Sequence, residues 1–364
     1  MTIEIKKTAP EASAATVPDA GLPREIKRLR FDGLLFVGDP HMTCLRPGRR
    51  VEEDFLEVPL DKIRQARQIA QEEKLLVVFL GDMTDNPNKY KAGTTRVVED
   101  RGRIISGFAK AMDFMPCVTI PGNHDKHEVR LTPDCTLSQM RELRLIDVIE
   151  PGGAYAIIDV DGQKVGLGGT PYGEPIPKDV RGAFGESIDK VVWITHDQFI
   201  FDHKIPVLRD PPEIKGVDVA VNGHDHENQK PRTFGQTTWH NIGNITRMSV
   251  DTADNVPAVW QWDPKNGMKK HVLDYNKNAF NLVGLQVDAD VKGAHQIEQQ
   301  REKSLFAELL LADQSGQMER SDSGEVILED INRVLNDLPE ISEPARLTLR
   351  NLHLRAPERM KATP

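Results

Sequence analysis

Five short polar stretches carry the residues of this chain that could do chemistry. They are Gly38-Asp39-Pro40-His41, Gly81-Asp82-Met83-Thr84-Asp85, Gly122-Asn123-His124-Asp125, Thr195-His196 and Asn222-Gly223-His224-Asp225-His226. Taken singly, each reads as a polar turn. Asp39-x-His41 and His224-x-His226 set side chains two residues apart, and in extended backbone such residues point the same way, so each pair can reach one ion. Asp82 adds a carboxylate able to bridge two ions, Asn123 a neutral oxygen and His196 an imidazole. Carboxylate, amide oxygen and imidazole together suit Mn²⁺, Fe or Zn²⁺ better than a thiolate-preferring metal. Two such ions about 3.5–4 Å apart bind a phosphoryl group, polarise it and lower the pKa of a bridging water. The chemistry these residues point to is phosphoester cleavage at one dinuclear site.

Positioning them requires strands, and each stretch follows an apolar run. Phe31 to Val37 reads as a strand ending at Gly38-Asp39, Leu75 to Leu80 as a buried strand ending at Gly81-Asp82, and Pro116 to Ile120 as a strand running into Gly122-Asn123. Between them, Pro59 to Lys74 has helical periodicity, with Leu60, Ile63, Ala66, Ile69 and Ala70 on one face, and Val97 to Phe114 reads as a second helix. Ala154 to Val160 and Lys164 to Leu167 flank Asp161-Gly162 as a hairpin. Val191 to Thr195 and Val217 to Val221 are strands ending at His196 and Asn222, and Thr237 to Ile242, Ala258 to Trp262 and Met268 to Leu273 add further strands. This order predicts an α/β sandwich with helices outside two sheets, and its site at the carboxyl ends of the strands.

Three regions follow from this reading: a disordered tail over 1–28, a catalytic domain over 29–288 and a helical segment over 289–364. Gln296 to Leu311, Ser323 to Leu338 and Glu343 to Leu354 in the last are charged and amphipathic. Lys plus Arg total 47 against 56 Asp plus Glu, a net charge of −9 that argues against broad attraction to nucleic acid or an anionic membrane. Metal ions in a carboxylate-rich cleft supply positive charge locally, so a nucleic-acid substrate stays open. Cys44, Cys117 and Cys135 lack zinc-ribbon or C-x-x-C spacing, which predicts a reducing compartment. With no membrane-length apolar run and no signal-like segment in residues 1–23, a cytoplasmic location with no membrane contact is the expectation.

In order and form the five stretches resemble the calcineurin-like metallophosphoesterase superfamily: Asp-x-His, Gly-Asp-x-x-Asp, Gly-Asn-His-Asp, a His after a strand, and Gly-His-x-His. The resemblance covers about residues 31–245 and implies a four-layer α/β/β/α fold. It implies that Asp39, His41 and His226 hold one metal, that Asp82 bridges, and that Asn123, His196 and His224 hold the other. It also implies that metal-bound hydroxide is the nucleophile and that His124 contacts the phosphate and protonates the leaving group. Asp85 would orient that imidazole and raise its pKa by opposite charge. His240 and Arg247 follow the last ligand where the family often returns a loop to the site, and are candidate substrate contacts. His127 and His203 read as solvated, Cys44 as a small buried residue, and Trp239, Trp260 and Trp262 as sheet packing.

Within the superfamily, protein Ser/Thr phosphatases carry Arg-Gly after the second Asp and Glu after Asn-His. Here Asn86-Pro87 and Asp125 stand instead. Gly-Asn-His-Asp and Gly-His-Asp-His-Glu look more like the nuclease branch similar to Mre11 and bacterial SbcD, and Asp85 suits the bacterial form. That branch works with a coiled-coil ATPase, and the helices after residue 288 are candidates for docking one. Cyclic-nucleotide and other small phosphodiesterases share these motifs, and a metal-dependent scaffold without turnover is the non-enzymatic alternative.

Overall fold

The computed structural model describes residues 25–86, 95–126, 129–199, 201 and 209–282. Two compact units divide the chain: residues 1–201 with 211–281, and residues 202–210 with 282–364. The first holds every element below. The three amphipathic stretches between Gln296 and Leu354 lie outside the described residues, as do His127 and His203.

In chain order the elements are β1 (Lys27–Arg30), β2 (Gly33–Val37), α1 (Glu57–Glu72), β3 (Leu75–Phe79), α2 (Thr95–Met112), β4 (Cys117–Thr119), α3 (Thr136–Glu142) and β5 (Asp147–Val148). There follow β6 (Gly153–Val160), β7 (Gln163–Thr170), β8 (Lys190–His196), β9 (Val219–Gly223), β10 (Arg232–Phe234) and β11 (Thr237–Asn241). A 3₁₀ turn at Val250–Thr252 precedes β12 (Ala258–Asp263) and β13 (Gly267–Val272). They form a seven-stranded sheet, β1-β6-β7-β8-β9-β11-β10, and a six-stranded one, β13-β12-β2-β3-β4-β5. β2, β3 and β4 run parallel in the smaller sheet, as do β7, β8 and β9 in the larger.

Burial on both faces explains the unbroken apolar run of β3, since successive side chains alternate across a sheet. Leu76 and Val78 join Leu34, Phe36 and Ile120 between the sheets, against Leu167, Val192 and Ile194 of the larger one. Leu75, Val77 and Phe79 point the other way, with Leu35 and Val37, onto Leu60, Ile63, Ala66 and Ala70 of α1 and Phe108 of α2. The apolar stripe of α1 is therefore the predicted one, and it fixes the sheet whose strand ends carry Asp39, Asp82 and Asn123.

The mixed α/β architecture with two sheets is the expected one, and the differences have local causes. β1 begins at Lys27, inside the predicted tail; it is a charged edge strand, parallel to β6, with no apolar pattern to announce it. Among the described residues, the outer face of the larger sheet is covered by irregular chain rather than by a helix. Val180, Phe184, Phe199, Ile214 and Val217 supply that cover over Trp193 and Trp239. Pro171, Gly173, Pro175, Pro177, Gly182 and Gly185 break helical structure through much of the stretch. Trp239 packs as predicted, edge-on to Phe199 with its Nε1–H on the Pro212 carbonyl. Among the described residues no helix is long and apolar enough to cross a membrane.

Candidate metal centre

The parallel strands deliver the polar stretches to one place. Asp39 and His41 follow β2, Asp82 follows β3, Asn123 and His124 follow β4, His196 ends β8, and His224 and His226 follow β9. Three groups result: Asp39 with His41 and His226, His41 with Asp82 and His124, and Asp82 with His196 and His224. Within each, the candidate ligand atoms lie within 4.8 Å of one another. Asn123 Oδ1 lies 3.1 Å from His196 Nε2 and 2.9 Å from His224 Nδ1, which adds an amide oxygen to the third group. All seven candidate ligands are thus gathered, and Asp82 sits where two groups meet.

Such crowding constrains the backbone. A Cβ on Gly122 would stand 2.1 Å from Asp82 Oδ1, and one on Gly223 2.7 Å from Asp39 Oδ1, so only glycine fits at either place. His41, Asp82 and His224 adopt φ of 46°, 45° and 79°, a region uncommon for residues with a side chain. Carboxylates hold these turns across strands. Asp39 Oδ2 accepts the His224 N–H at 2.8 Å, and Asp82 Oδ1 accepts the His124 N–H at 2.8 Å. Asp125 is fully buried and accepts the N–H groups of Gly122 at 2.9 Å and Thr84 at 3.1 Å, tying the loop after β4 to the loop after β3. Burial pushes its pKa up to about 6. The motif includes Asp125, but nothing in its spacing announces this bracing role.

Electrostatically the cluster is incomplete by itself. His196 Nδ1 lies 2.7 Å from the Leu80 carbonyl, which only accepts, so Nδ1 carries the hydrogen and Nε2 faces Asp82 Oδ2 at 3.3 Å. Burial pulls the His196 pKa down, but the Asp82 and Asp39 carboxylates outweigh it and bring it to about 9. Burial works to raise the Asp82 pKa, yet the adjacent His196 and His41 hold it well below the usual carboxylate range. Burial raises Asp39 to about 7 and lowers His41 to about 3 and His224 to about 4. Asp39 Oδ1 and His41 Nδ1 are buried without a hydrogen-bond partner among the described residues. His41 Nε2 and His226 Nε2 stand 2.9 Å apart, where two lone pairs repel unless a proton or a cation lies between them. Carboxylate oxygens and imidazole nitrogens gathered within such distances are a donor set for divalent cations. Asp39, His41, Asp82, Asn123, His196, His224 and His226 fit such ions.

The family model for calcineurin-like phosphoesterase matches residues 34–228, more than half of the chain. The chain belongs to the calcineurin-like phosphoesterase family. It is a hydrolase acting on phosphoester bonds, and the site above is the one its strands build. No curated protein matches the chain.

In this phosphoesterase His124 is accessible, with 40% of its side chain exposed, and its ring stands edge-on to His41 at 4.9 Å between centroids. Its Nδ1 lies 2.5 Å from the main-chain carbonyl oxygen of Asp85, while the Asp85 carboxylate is 3.9 Å away. The nearest oxygen orienting the ring is therefore the carbonyl, not the carboxylate expected from the sequence. The bond puts the hydrogen on Nδ1 and leaves Nε2 as the nitrogen able to carry a proton elsewhere.

His240 and Arg247 are not gathered with the ligands. Arg247 is buried, its guanidinium donating to the carbonyls of Ala253 at 2.6 Å and Asn276 at 2.5 Å and lying 4.6 Å from the Tyr275 ring centroid. Those bonds make it a tie between the turn before β12 and the chain after β13. His240 is half-buried in β11, opposite Val221 of β9, and burial lowers its pKa from 6.5 to about 4. The folded value lies below the unfolded one, so the unfolded chain takes up the proton first. Stability is present above pH 6.5 and is lost as pH falls towards 4, by up to about 3 kcal/mol. His240→Gln is expected to remove that loss. Urea unfolding at pH 7 and pH 4.5 checks it: equal acid sensitivity in both proteins would mean that His240 charges freely in the fold.

Proposed function

We propose that this phosphoesterase is a dinuclear, manganese-preferring phosphodiesterase of the DNA-exonuclease type, similar to Mre11 and SbcD. The observation that carries the reading is His124, a half-exposed imidazole fixed by the Asp85 carbonyl beside the cluster of Asp39, His41, Asp82, Asn123, His196, His224 and His226. Bound divalent ions supply Lewis-acid polarisation of the phosphoryl group and neutralise its charge. The chain's own residues do the rest. The Nε2–H of His124, as imidazolium, gives its proton to the departing ester oxygen, and the Asp85 carbonyl keeps the ring turned for that transfer. Asp125 and Gly122 keep the Asn123-His124 turn at the distance this needs.

Support for manganese is the oxygen-and-imidazole donor set, in which no cysteine takes part. Gly-Asn-His-Asp, Gly-His-Asp-His-Glu and Asp85 support the nuclease branch. Docking of a coiled-coil ATPase through residues 289–364 belongs to the same proposal, on their position and amphipathic pattern in the sequence. Cys44, Cys117 and Cys135, which form no disulfide among the described residues, support a reducing, cytoplasmic setting.

The test is a substrate panel with Mn²⁺: bis-p-nitrophenyl phosphate, p-nitrophenyl phosphate, single-stranded and duplex DNA, and 2′,3′-cyclic nucleotides. The expected result is preference for the diester over the monoester together with DNA degradation from the ends. Preference for the cyclic nucleotide with intact DNA would replace the exonuclease reading by a small-molecule phosphodiesterase. Absence of turnover on every substrate would favour a scaffold.

A further inference from the structure

Tyr172 lies just beyond β7, outside all five motif stretches, yet its ring stands over the half of the site built by Asn123, His196 and His224. The ring centroid is 5.6 Å from that of His224, with planes tilted by 33°, and 6.1 Å from that of His196 at 77°. The residue is held from both sides of its backbone. Its N–H donates to the Pro121 carbonyl at 3.0 Å, and its own carbonyl accepts from Lys126 Nζ at 2.6 Å. Pro121 and Lys126 bracket the Gly122-Asn123-His124-Asp125 turn, so Tyr172 keeps a fixed position relative to Asn123 and His124. Gly173, at φ 78°, turns the chain away immediately afterwards.

The side chain itself is tied down far less. It is half-buried, and its hydroxyl makes no hydrogen bond among the described residues. A rigidly mounted ring with accessible surface beside a phosphoryl site is a surface on which a planar group can stack, and such stacking tolerates any base.

We propose that Tyr172 is a substrate-contacting wall of the site, which stacks on the nucleobase carried by the phosphoester and so selects diesters of nucleosides. This rests on the reading of the centre as a phosphodiesterase. The experiment compares wild type, Tyr172→Phe and Tyr172→Leu, each loaded with Mn²⁺. Calorimetry measures binding of thymidine 5′-monophosphate and of inorganic phosphate. Kinetics measure kcat/KM for thymidine 5′-(p-nitrophenyl) phosphate and for methyl p-nitrophenyl phosphate, which share a leaving group. In Tyr172→Leu, nucleotide affinity and kcat/KM for the thymidine ester should fall roughly 5- to 50-fold. Phosphate binding, the methyl ester and metal content should stay unchanged, and Tyr172→Phe should resemble wild type. Equal weakening towards nucleotide and phosphate, loss of metal, no change at all, or an equal loss in Tyr172→Phe would each overturn the assignment. If wild type cleaves neither ester, the phosphodiesterase reading fails, while the two binding measurements still decide whether Tyr172 stacks.

Discussion

In a His124→Asn variant kcat should fall by about 10²–10⁴-fold on an ester with a poor leaving group, with metal content unchanged. The argument is geometric. One ring nitrogen of His124 is committed to the Asp85 carbonyl at 2.5 Å, and the side chain is 40% exposed, so the other nitrogen can meet substrate. Asparagine keeps a polar side chain of similar reach but cannot carry a proton to a departing alkoxide. The loss should therefore shrink when the leaving group is p-nitrophenolate, which departs without protonation. His124 also stands with His41 and Asp82 in a group able to hold a metal, and the same variant resolves that alternative. A fall in bound Mn²⁺, measured by elemental analysis, would make His124 a ligand, and a uniform loss across leaving groups would remove its role as an acid.

The Asp82→Asn variant should lose bound metal and nearly all activity, beyond the roughly 10²–10³-fold cost of losing one electrostatic contact in an active site. Asp82 belongs to two of the three candidate groups, and its two oxygens have separate duties. Oδ1 holds the His124 N–H at 2.8 Å, while Oδ2 faces His196 at 3.3 Å and His41 at 3.7 Å. An amide preserves the shape and withdraws the charge that attracts cations to both groups. Ligand-linked stabilisation follows occupancy, so added Mn²⁺ should raise the thermal midpoint of wild type and leave that of Asp82→Asn where it was. A variant that still binds the full complement of Mn²⁺ would refute the bridging position.

Much of this is legible in the amino-acid sequence. β2, β3, β8 and β9 announced themselves because burial on both faces demands unbroken apolar runs, and α1 because its stripe at Leu60, Ile63, Ala66 and Ala70 repeats with helical spacing. The candidate ligands were legible because strand ends are where the chain must turn, and polar residues at those turns stand out against apolar runs. Edge strands such as β1 and β10 were not, being short and charged or half-exposed. The positions of Arg247 and Tyr172 were hidden for another reason. An arginine after the last motif looks available to substrate until the Ala253 and Asn276 carbonyls are seen to hold it. A tyrosine in a Pro-Tyr-Gly turn looks ordinary until two hydrogen bonds mount it beside His224. Both facts are products of long-range contact, which local spacing does not encode.

The cross-strand bonds of the site carry a wider implication. Asp39 fastens the backbone of His224, Asp82 that of His124, and Asp125 that of Thr84. Asp39 and Asp82, which would grip cations, are thus also clasps that keep neighbouring loops in place, while Asp125 is a clasp alone. Substitutions at such positions are coupled rather than additive, so a descendant cannot exchange one ligand for another while its neighbours stay as they were. Evolution or a protein engineer seeking a new metal here must revise whole loops in pairs. The freer ground for acquiring new substrates is the wall around them, where a side chain can change without loosening a clasp.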